Sequence, residues 1–320
     1  MKKLFTIPAT AKPLVRIWPF FVSLLLSGLI LTGFIVRNET VVGEDPGMAG
    51  ISAPIAVQGA EATTRQKIDD SKPWTYTFDA AKSTSLDYTL WTVENGNLTA
   101  DYNGESQTYT TRTENVRIEG NELIIQARAE SMNGKNYTSA RINTKDSFAF
   151  TYGTLEVEMK LPKGTGTWPA AWLMPNNDRY DAAALGVKNT PNAWALNGEI
   201  DFMEAVGYIP GEVIPAVHNY NSMHSGTTYT PGYVKNADSQ YHRYGVIKTP
   251  TSISFTIDGK IYATREKTSN SVYDWPYDQP YYLILNLAMG GTWGGEKGID
   301  EAGFEGWKMH VRSISYKPLS

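Results

Sequence analysis

From residue 74 onward the chain alternates apolar and polar positions in short runs. In residues 153–161, GTLEVEMKL, the apolar Leu155, Val157, Met159 and Leu161 alternate with Glu156, Glu158 and Lys160, the period of a strand that is wet on one face. Runs rich in Thr, Tyr, Val and Ile recur at 122–129 (ELIIQARA), 252–257 (SISFTI), 281–288 (YYLILNLA) and 308–316 (KMHVRSISY), and turn signals such as ENGN at 94–97 and IDGK at 257–260 punctuate them. These are strands and hairpin turns. With no long amphipathic helix and no repeat of about 20 to 50 residues, the pattern predicts an all-β sandwich or jelly roll of antiparallel sheets, not a propeller or solenoid.

Two stretches depart from this texture. Residues 18–36 are 19 consecutive uncharged, mainly apolar residues preceded by Lys2, Lys3, Lys12 and Arg16. As a helix rising about 1.5 Å per residue they would span about 28 Å, close to a bilayer core of about 30 Å, and they exceed the roughly 7 to 15 residues of a cleaved signal core. The basic leader would stay in the cytoplasm and the body would be exported. No small-x-small site follows Val36, so an uncleaved, outward-facing membrane anchor is expected, with a cleaved signal and a secreted body as the alternative. Residues 38–72 lack periodicity and read as a flexible linker. The chain thus divides into a signal or anchor segment (1–37), a linker (38–72) and a folded domain (73–320).

The second departure is residues 198–207, GEIDFMEAVG. In a strand, Glu199 and Asp201 point to one face while Ile200 and Phe202 point to the other, and Glu204 has the wrong parity. One extra residue at Met203, a β-bulge, would return Glu204 to the face of the first two acids. Crowding three carboxylates raises at least one pKa, so a protonated acid can sit beside an ionised one near neutral pH. Two carboxyl groups about 5 to 5.5 Å apart in those states are what glycoside cleavage with retention employs.

Composition narrows the chemistry further. A net charge of −4 carries no basic excess for nucleic acid. The absence of Cys removes disulfides, thiolate nucleophiles and Cys-liganded zinc. Nine Trp and 19 Tyr exceed the needs of a core, and flat amphipathic rings suit sugar faces. Trp168 and Trp172 stand in GTGTWPAAWLMP (164–175) and Trp293 in the Gly-rich LNLAMGGTWGG (285–295). Glycines let such loops approach a ligand closely, so loops and acids together outline a carbohydrate cleft.

These stretches, with YTSARINT (137–144), AVH (216–218) and YHRY (241–244), resemble glycoside hydrolase family 16, and specifically its laminarinase-like branch with a bulged E-x-D-x-x-E strand. The resemblance covers about residues 74–316. It implies a two-sheet β-jelly roll with a concave substrate cleft, and retaining endo-hydrolysis of β-1,3-glucan, with mixed-linkage β-1,3-1,4-glucan as a further substrate. It implies Glu199 as nucleophile, Glu204 as general acid and base, and Asp201 as the residue that holds and tunes Glu199. Arg141, Trp168, Trp172 and His218 match positions that line the sugar subsites, Asn103 and Glu105 match a sugar-contacting loop, and Trp293 is a candidate stacking residue. His242 is expected to pack between strands. No cofactor is required and a monomer is expected. Relatives often carry a structural calcium, for which Asp79 is the place to look, although no acidic cluster resembles an EF-hand loop. Two departures stand out: NAWALNG (192–198) lacks the family's Trp-Pro, and Ile247 and Lys248 follow YHRY where relatives show Glu-Trp. The long stretch 176–193 before the acids reshapes the cleft. Transglycosylation and non-catalytic glucan binding on the same scaffold remain alternatives.

Overall fold

The computed structural model describes residues 64–97, 103–222 and 230–319. The apolar segment 18–36 and the linker up to residue 63 lie outside the described residues, among which no helix is long and apolar enough to cross a membrane. The described residues belong to one unit, Gly59–Ser320. Near its start, the backbone N–H groups of Gln66 and Ile68 donate to the carbonyls of Thr89 and Ser147, both at 3.0 Å. Part of the stretch read as linker therefore lies against the domain ahead of residue 73.

The alternating runs assemble into two eight-stranded antiparallel sheets. The front sheet, which carries the acids, runs in the order β14 (Gly232–Tyr233), β13 (Glu212–His218), β12 (Glu199–Glu204), β11 (Thr167–Pro175), β18 (Tyr281–Met289), β8 (Arg141–Asn143) and β2 (Thr92–Val93), with β9 (Ala149–Phe150) beside β18. The back sheet runs β17 (Lys260–Glu266), β16 (Ser252–Ile257), β15 (His242–Lys248), β10 (Gly153–Lys160), β19 (Lys308–Pro318), β5 (Glu122–Gln126) and β4 (Val116–Glu119), with β1 (Trp74–Thr77) beside β19. A third, small sheet pairs β3 (Gln107–Tyr109) with β7 (Lys135–Ser139) and β6 (Arg128–Met132). The run 122–129 is thus two strands in different sheets, broken at Ala127, whose N–H donates to the Trp307 carbonyl. Periodicity alone shows no break there, because both halves keep period two.

The core lies between the two large sheets, where the pleat sends alternate side chains inward. Leu155, Val157 and Met159 of β10 meet Leu173 of β11, Ile200 and Phe202 of β12 and Leu283, Leu285 and Leu287 of β18 in one buried cluster. Each such side chain contributes about 1.5 to 3 kcal/mol of burial. Strand β18 is buried on both faces, so its even-numbered residues, Tyr282, Ile284, Asn286 and Ala288, form a covered floor on the side away from the core.

Lys248, at the family departure on β15, is fully buried. Its Nζ donates to the Gln279 carbonyl at 2.7 Å and lies 4.4 Å from the centre of the Tyr281 ring. Burial holds its pKa well below the ordinary 10.5, with the Asp278 charge pulling the other way. A base depressed in the fold leaves the unfolded chain holding the extra proton, so this group makes stability rise with pH up to the ordinary lysine range. We expect Lys248→Met to be more stable than the wild type at neutral pH, with the gap narrowing towards about pH 10. Urea unfolding midpoints across that range check it; a gap independent of pH would refute it.

Candidate active site

The acid strand is bulged. Against β11, Ile200 pairs with Leu173 and Asp201 with Trp172, and then the register slips so that Met203 pairs with Ala171 and Glu204 with Ala170. Pairing with β13 slips over the same interval. Phe202 is the extra residue, so the bulge begins one position before the expected Met203. Both Phe202 and Met203 are fully buried in the core, which leaves Glu199, Asp201 and Glu204 together on the other face. A bulge spends two consecutive side chains on one side.

Glycines frame this strand where there is no room for a side chain. At Gly198, whose φ is 81°, a Cβ would come within 2.4 Å of the Tyr281 hydroxyl, and at Gly207 within 1.8 Å of the Gly164 carbonyl oxygen. The segment before β18 grips the backbone beside the acids. Tyr277 Oη donates to the His218 carbonyl at 2.9 Å, while Gln279 Nε2, at 3.1 Å, and Tyr281 Oη both donate to the Asn197 carbonyl. Because Glu199 pairs with His218, these bonds hold both strands at the first acid, and Lys248 supports Gln279 from the back sheet.

The register brings together the residues expected from the sequence. Arg141 pairs with Asn286, Asn286 with Ala170 and Ala170 with Glu204, a row across four strands. Trp168 Nε1 donates to Glu204 Oε1 at 3.0 Å. Trp172 Nε1 donates to Asn286 Oδ1 at 2.7 Å, and the Arg141 guanidinium lies 4.6 Å from the Trp172 ring centre. His218 Nε2 stands 3.0 Å from Asp201 Oδ2, an oxygen that has no hydrogen-bond partner among the described residues. Asn103 and Trp293 reach the Glu204 end from loops: the Asn103 carbonyl accepts from Thr292 N–H at 2.8 Å, and the Trp293 ring meets Trp168 edge-on at 5.4 Å. Asn103 Nδ2 donates to Glu105 Oε1 at 2.8 Å. His242 lies outside this group, 2.8 Å from Asp258 on the back sheet.

Burial governs the charges. Glu199 is pushed up to about 8, first by burial and then by the Asp201 charge, while His218 and Arg141 pull it down. Glu204 is also pushed up to about 8 by burial and Asp201, against the Trp168 hydrogen bond. Asp201 rises to about 7 through burial, opposed by a hydrogen bond with Glu199. The three titrate as one system that retains protons near neutrality. Such a site can hand over a proton and present a carboxylate within one cleft.

A family model described as "Glycosyl hydrolases family 16" matches residues 100–306. The chain belongs to this family. It is 40% identical over 210 residues to the beta-glucanase of Rhodothermus marinus, a match covering 63% of this chain and 70% of that protein. The X-ray structure of the Rhodothermus marinus laminarinase superposes with a TM-score of 0.68 at 35% identity, covering 77% of this chain and 97% of the other. SCLam, a non-specific endo-beta-1,3(4)-glucanase of the same family, superposes with a TM-score of 0.66 at 30% identity, covering 81% and 98%. This chain is a glycoside hydrolase with the jelly-roll fold.

Other residues at the site escaped the sequence. Glu94, in a stretch read only as a turn, accepts from Asn143 Nδ2 at 2.7 Å and stands 3.2 Å from Arg141 Nε. Gln107 bridges Glu105, at 2.6 Å, and the backbone N–H of Met289, at 2.7 Å. Trp194 lies with its ring centre 5.8 Å from that of His218. Their signal in the sequence is weak, since each depends on a partner far along the chain. The Asp79 carboxylate accepts from Ala81 N–H at 3.0 Å and pairs with the exposed Lys82 at 3.4 Å. Among the described residues, Glu199, Asp201 and His218 bring ligand atoms within 4.8 Å of one another, but these are the same groups that share the site's protons.

Acids raised in the fold keep protons that the unfolded chain has released, so they make stability fall as pH climbs from about 4.5 towards 8. Glu204→Gln should therefore melt higher than the wild type above about pH 5, with a gap that widens to about pH 8 and closes in acid. Thermal unfolding across pH measures this; a lower melting temperature at neutral pH would contradict it.

Proposed function

We propose that this enzyme is an endo-acting β-1,3-glucanase that cleaves with retention and also accepts mixed-linkage β-1,3-1,4-glucan. The observation that carries the assignment of roles is the placing of three buried acids on one face of β12, with Trp168 N–H donating to Glu204 and Asp201 sharing a hydrogen bond with Glu199. Burial raises Glu199 and Glu204 alike, to about 8, and Asp201 to about 7, so protonated and ionised acids stand side by side near neutral pH. The resemblance to the family then gives attack to Glu199 and proton transfer to Glu204. The names of the relatives, beta-glucanase, laminarinase and endo-beta-1,3(4)-glucanase, support the substrate.

In the first step the Glu199 carboxylate attacks the anomeric carbon, the bond to the leaving sugar breaks, and Glu204 gives its proton to the departing oxygen. Asp201, which shares a hydrogen bond with Glu199, holds the shared proton when Glu199 attacks as a carboxylate and keeps that carboxylate aimed. In the second step Glu204 removes a proton from water, the resulting hydroxide displaces Glu199, and the acid cluster returns to its starting state. Trp168, Trp172 and Trp293 offer faces and edges to glucose rings, with Arg141 ordered over Trp172. An acceptor sugar in place of water would give transglycosylation, seen as products longer than the substrate. The body would work outside the cell, tethered by residues 18–36.

Glu199→Gln should bring reducing-sugar release from laminarin below detection. Glu204→Gln should lower it by roughly 10² to 10⁴-fold, yet spare most of kcat/KM for phenol release from an aryl β-laminaribioside, whose phenolate leaves without a proton; steady-state turnover of that substrate still falls, because the second step has lost its base. Unchanged laminarin turnover in Glu199→Gln, or equal losses of kcat/KM on both substrates in Glu204→Gln, would refute these roles.

A further inference from the structure

Lys248 stands where the sequence departs from the family's Glu-Trp pattern, and it is the one lysine among the described residues that is buried. Tyr244 and Val246, two and four residues before it on β15, lie in the core. Side chains two apart along a strand share a face, so Lys248 is aimed across the sandwich at the front sheet.

What it meets there is the segment that clamps the acid strand. Lys248 Nζ donates to the Gln279 carbonyl at 2.7 Å, and it lies 4.4 Å from the centre of the Tyr281 ring and 5.6 Å from that of Tyr152. Gln279 and Tyr281 are the two side chains whose polar ends converge on the Asn197 carbonyl, Gln279 Nε2 at 3.1 Å and Tyr281 Oη beside it. Gln279 Nε2 also donates to the Pro276 carbonyl at 2.9 Å, so the amide cannot turn without losing a bond. From Asn197 the chain reaches Glu199 through Gly198, where φ is 81° and a Cβ would come within 2.4 Å of the Tyr281 hydroxyl. One amine therefore touches both residues that fix the backbone entering the acid strand, while its own hydrogen bond goes to neither catalytic acid.

We propose that Lys248 is a positioning residue for glycosidic cleavage: it holds Gln279 and Tyr281 against the Asn197 carbonyl and through them keeps the Glu199 carboxylate in line with the anomeric carbon. The inference rests on the glucanase reading above. Attack needs the reacting atoms about 3 to 3.5 Å apart, and a misplacement of about 1 Å costs about 10²-fold. A strut behind the strand thus acts on the chemical step and leaves the fit of the glucan to the side chains of the outer face. Methionine at 248 fills a similar space but offers no donor to the Gln279 carbonyl.

The test is Lys248→Met in the full chain. On laminarin we expect kcat about tenfold lower with KM within about twofold of the wild type, although the variant is the more stable protein at neutral pH. Gln279→Ala should show the same kind of loss, and adding Lys248→Met to it should cost less than about twofold more, because the two residues act in one chain of contacts. Hydrogen–deuterium exchange reads the strut without substrate: amides in 197–204 should exchange about tenfold faster in Lys248→Met, with those of β5 and β19 unchanged. A kcat equal to that of the wild type, a loss carried by KM, multiplying losses in the double variant, or unchanged exchange in 197–204 overturns the proposal. If the wild type cleaves no laminarin, the glucanase reading falls by itself, and the exchange measurement still decides whether Lys248 holds the acid strand.

Discussion

One extra residue in β12 decides whether this sandwich has an active site. In an unbroken strand Glu204 would face the core with Ile200, where a carboxylate has no partner and costs several kcal/mol. With the slip at Phe202, two apolar side chains enter the core in succession and the third acid emerges beside the other two. The slip is tolerable because the core accepts both: Phe202 and Met203 are each fully buried. The same two residues thus fill part of the core between the sheets and turn the third acid onto the outer face of the front sheet.

Crowding the acids has a cost, and the surrounding structure is arranged to carry it. Burial raises all three carboxyl groups, so the site is held together against its own electrostatics by bonds at the backbone. Tyr277, Gln279 and Tyr281 clamp the chain beside Glu199 and His218, and the close fit at Gly198 leaves that backbone no room to shift. The same segment rests on Lys248, a buried amine whose hydrogen bond to Gln279 crosses between the sheets. Stability is spent where geometry must be kept, as is usual for sites whose groups carry perturbed pKa values.

Around this centre the sheet orders its own charges. Asn143 sits three strands away from the acids, on β8, and Glu94 follows β2 one strand further, yet they fix Arg141, which lies over Trp172 and acts on Glu199. On the other side of the row, Glu105, Gln107 and the loop bearing Trp293 brace Trp168, the donor to Glu204. Glu199 and Glu204 thus differ in their neighbours, Arg141 on one side and the Trp168 indole on the other, while His218 and Asp201 act on both.

Period and parity were readable without any structure: alternation in 153–161 located a strand, and the misplaced Glu204 called for a bulge, because side-chain direction along a strand is a local property. Arg141, Trp168, Trp172 and His218 were also nameable, through the resemblance of their short runs to the family. Local pattern could not say that the bulge begins at Phe202 rather than Met203, because either choice restores the parity and only the pairing with β11 and β13 distinguishes them. Nor could it join Glu94 to Arg141, Gln279 to Asn197 or Trp194 to His218, separated by 47, 82 and 24 residues respectively. Those contacts exist only once strand order is set, and strand order follows from how two whole sheets bury their apolar faces against each other. The sequence determined which groups could react; the tertiary structure decided which of them meet, and through burial made all three acids hold their protons more tightly.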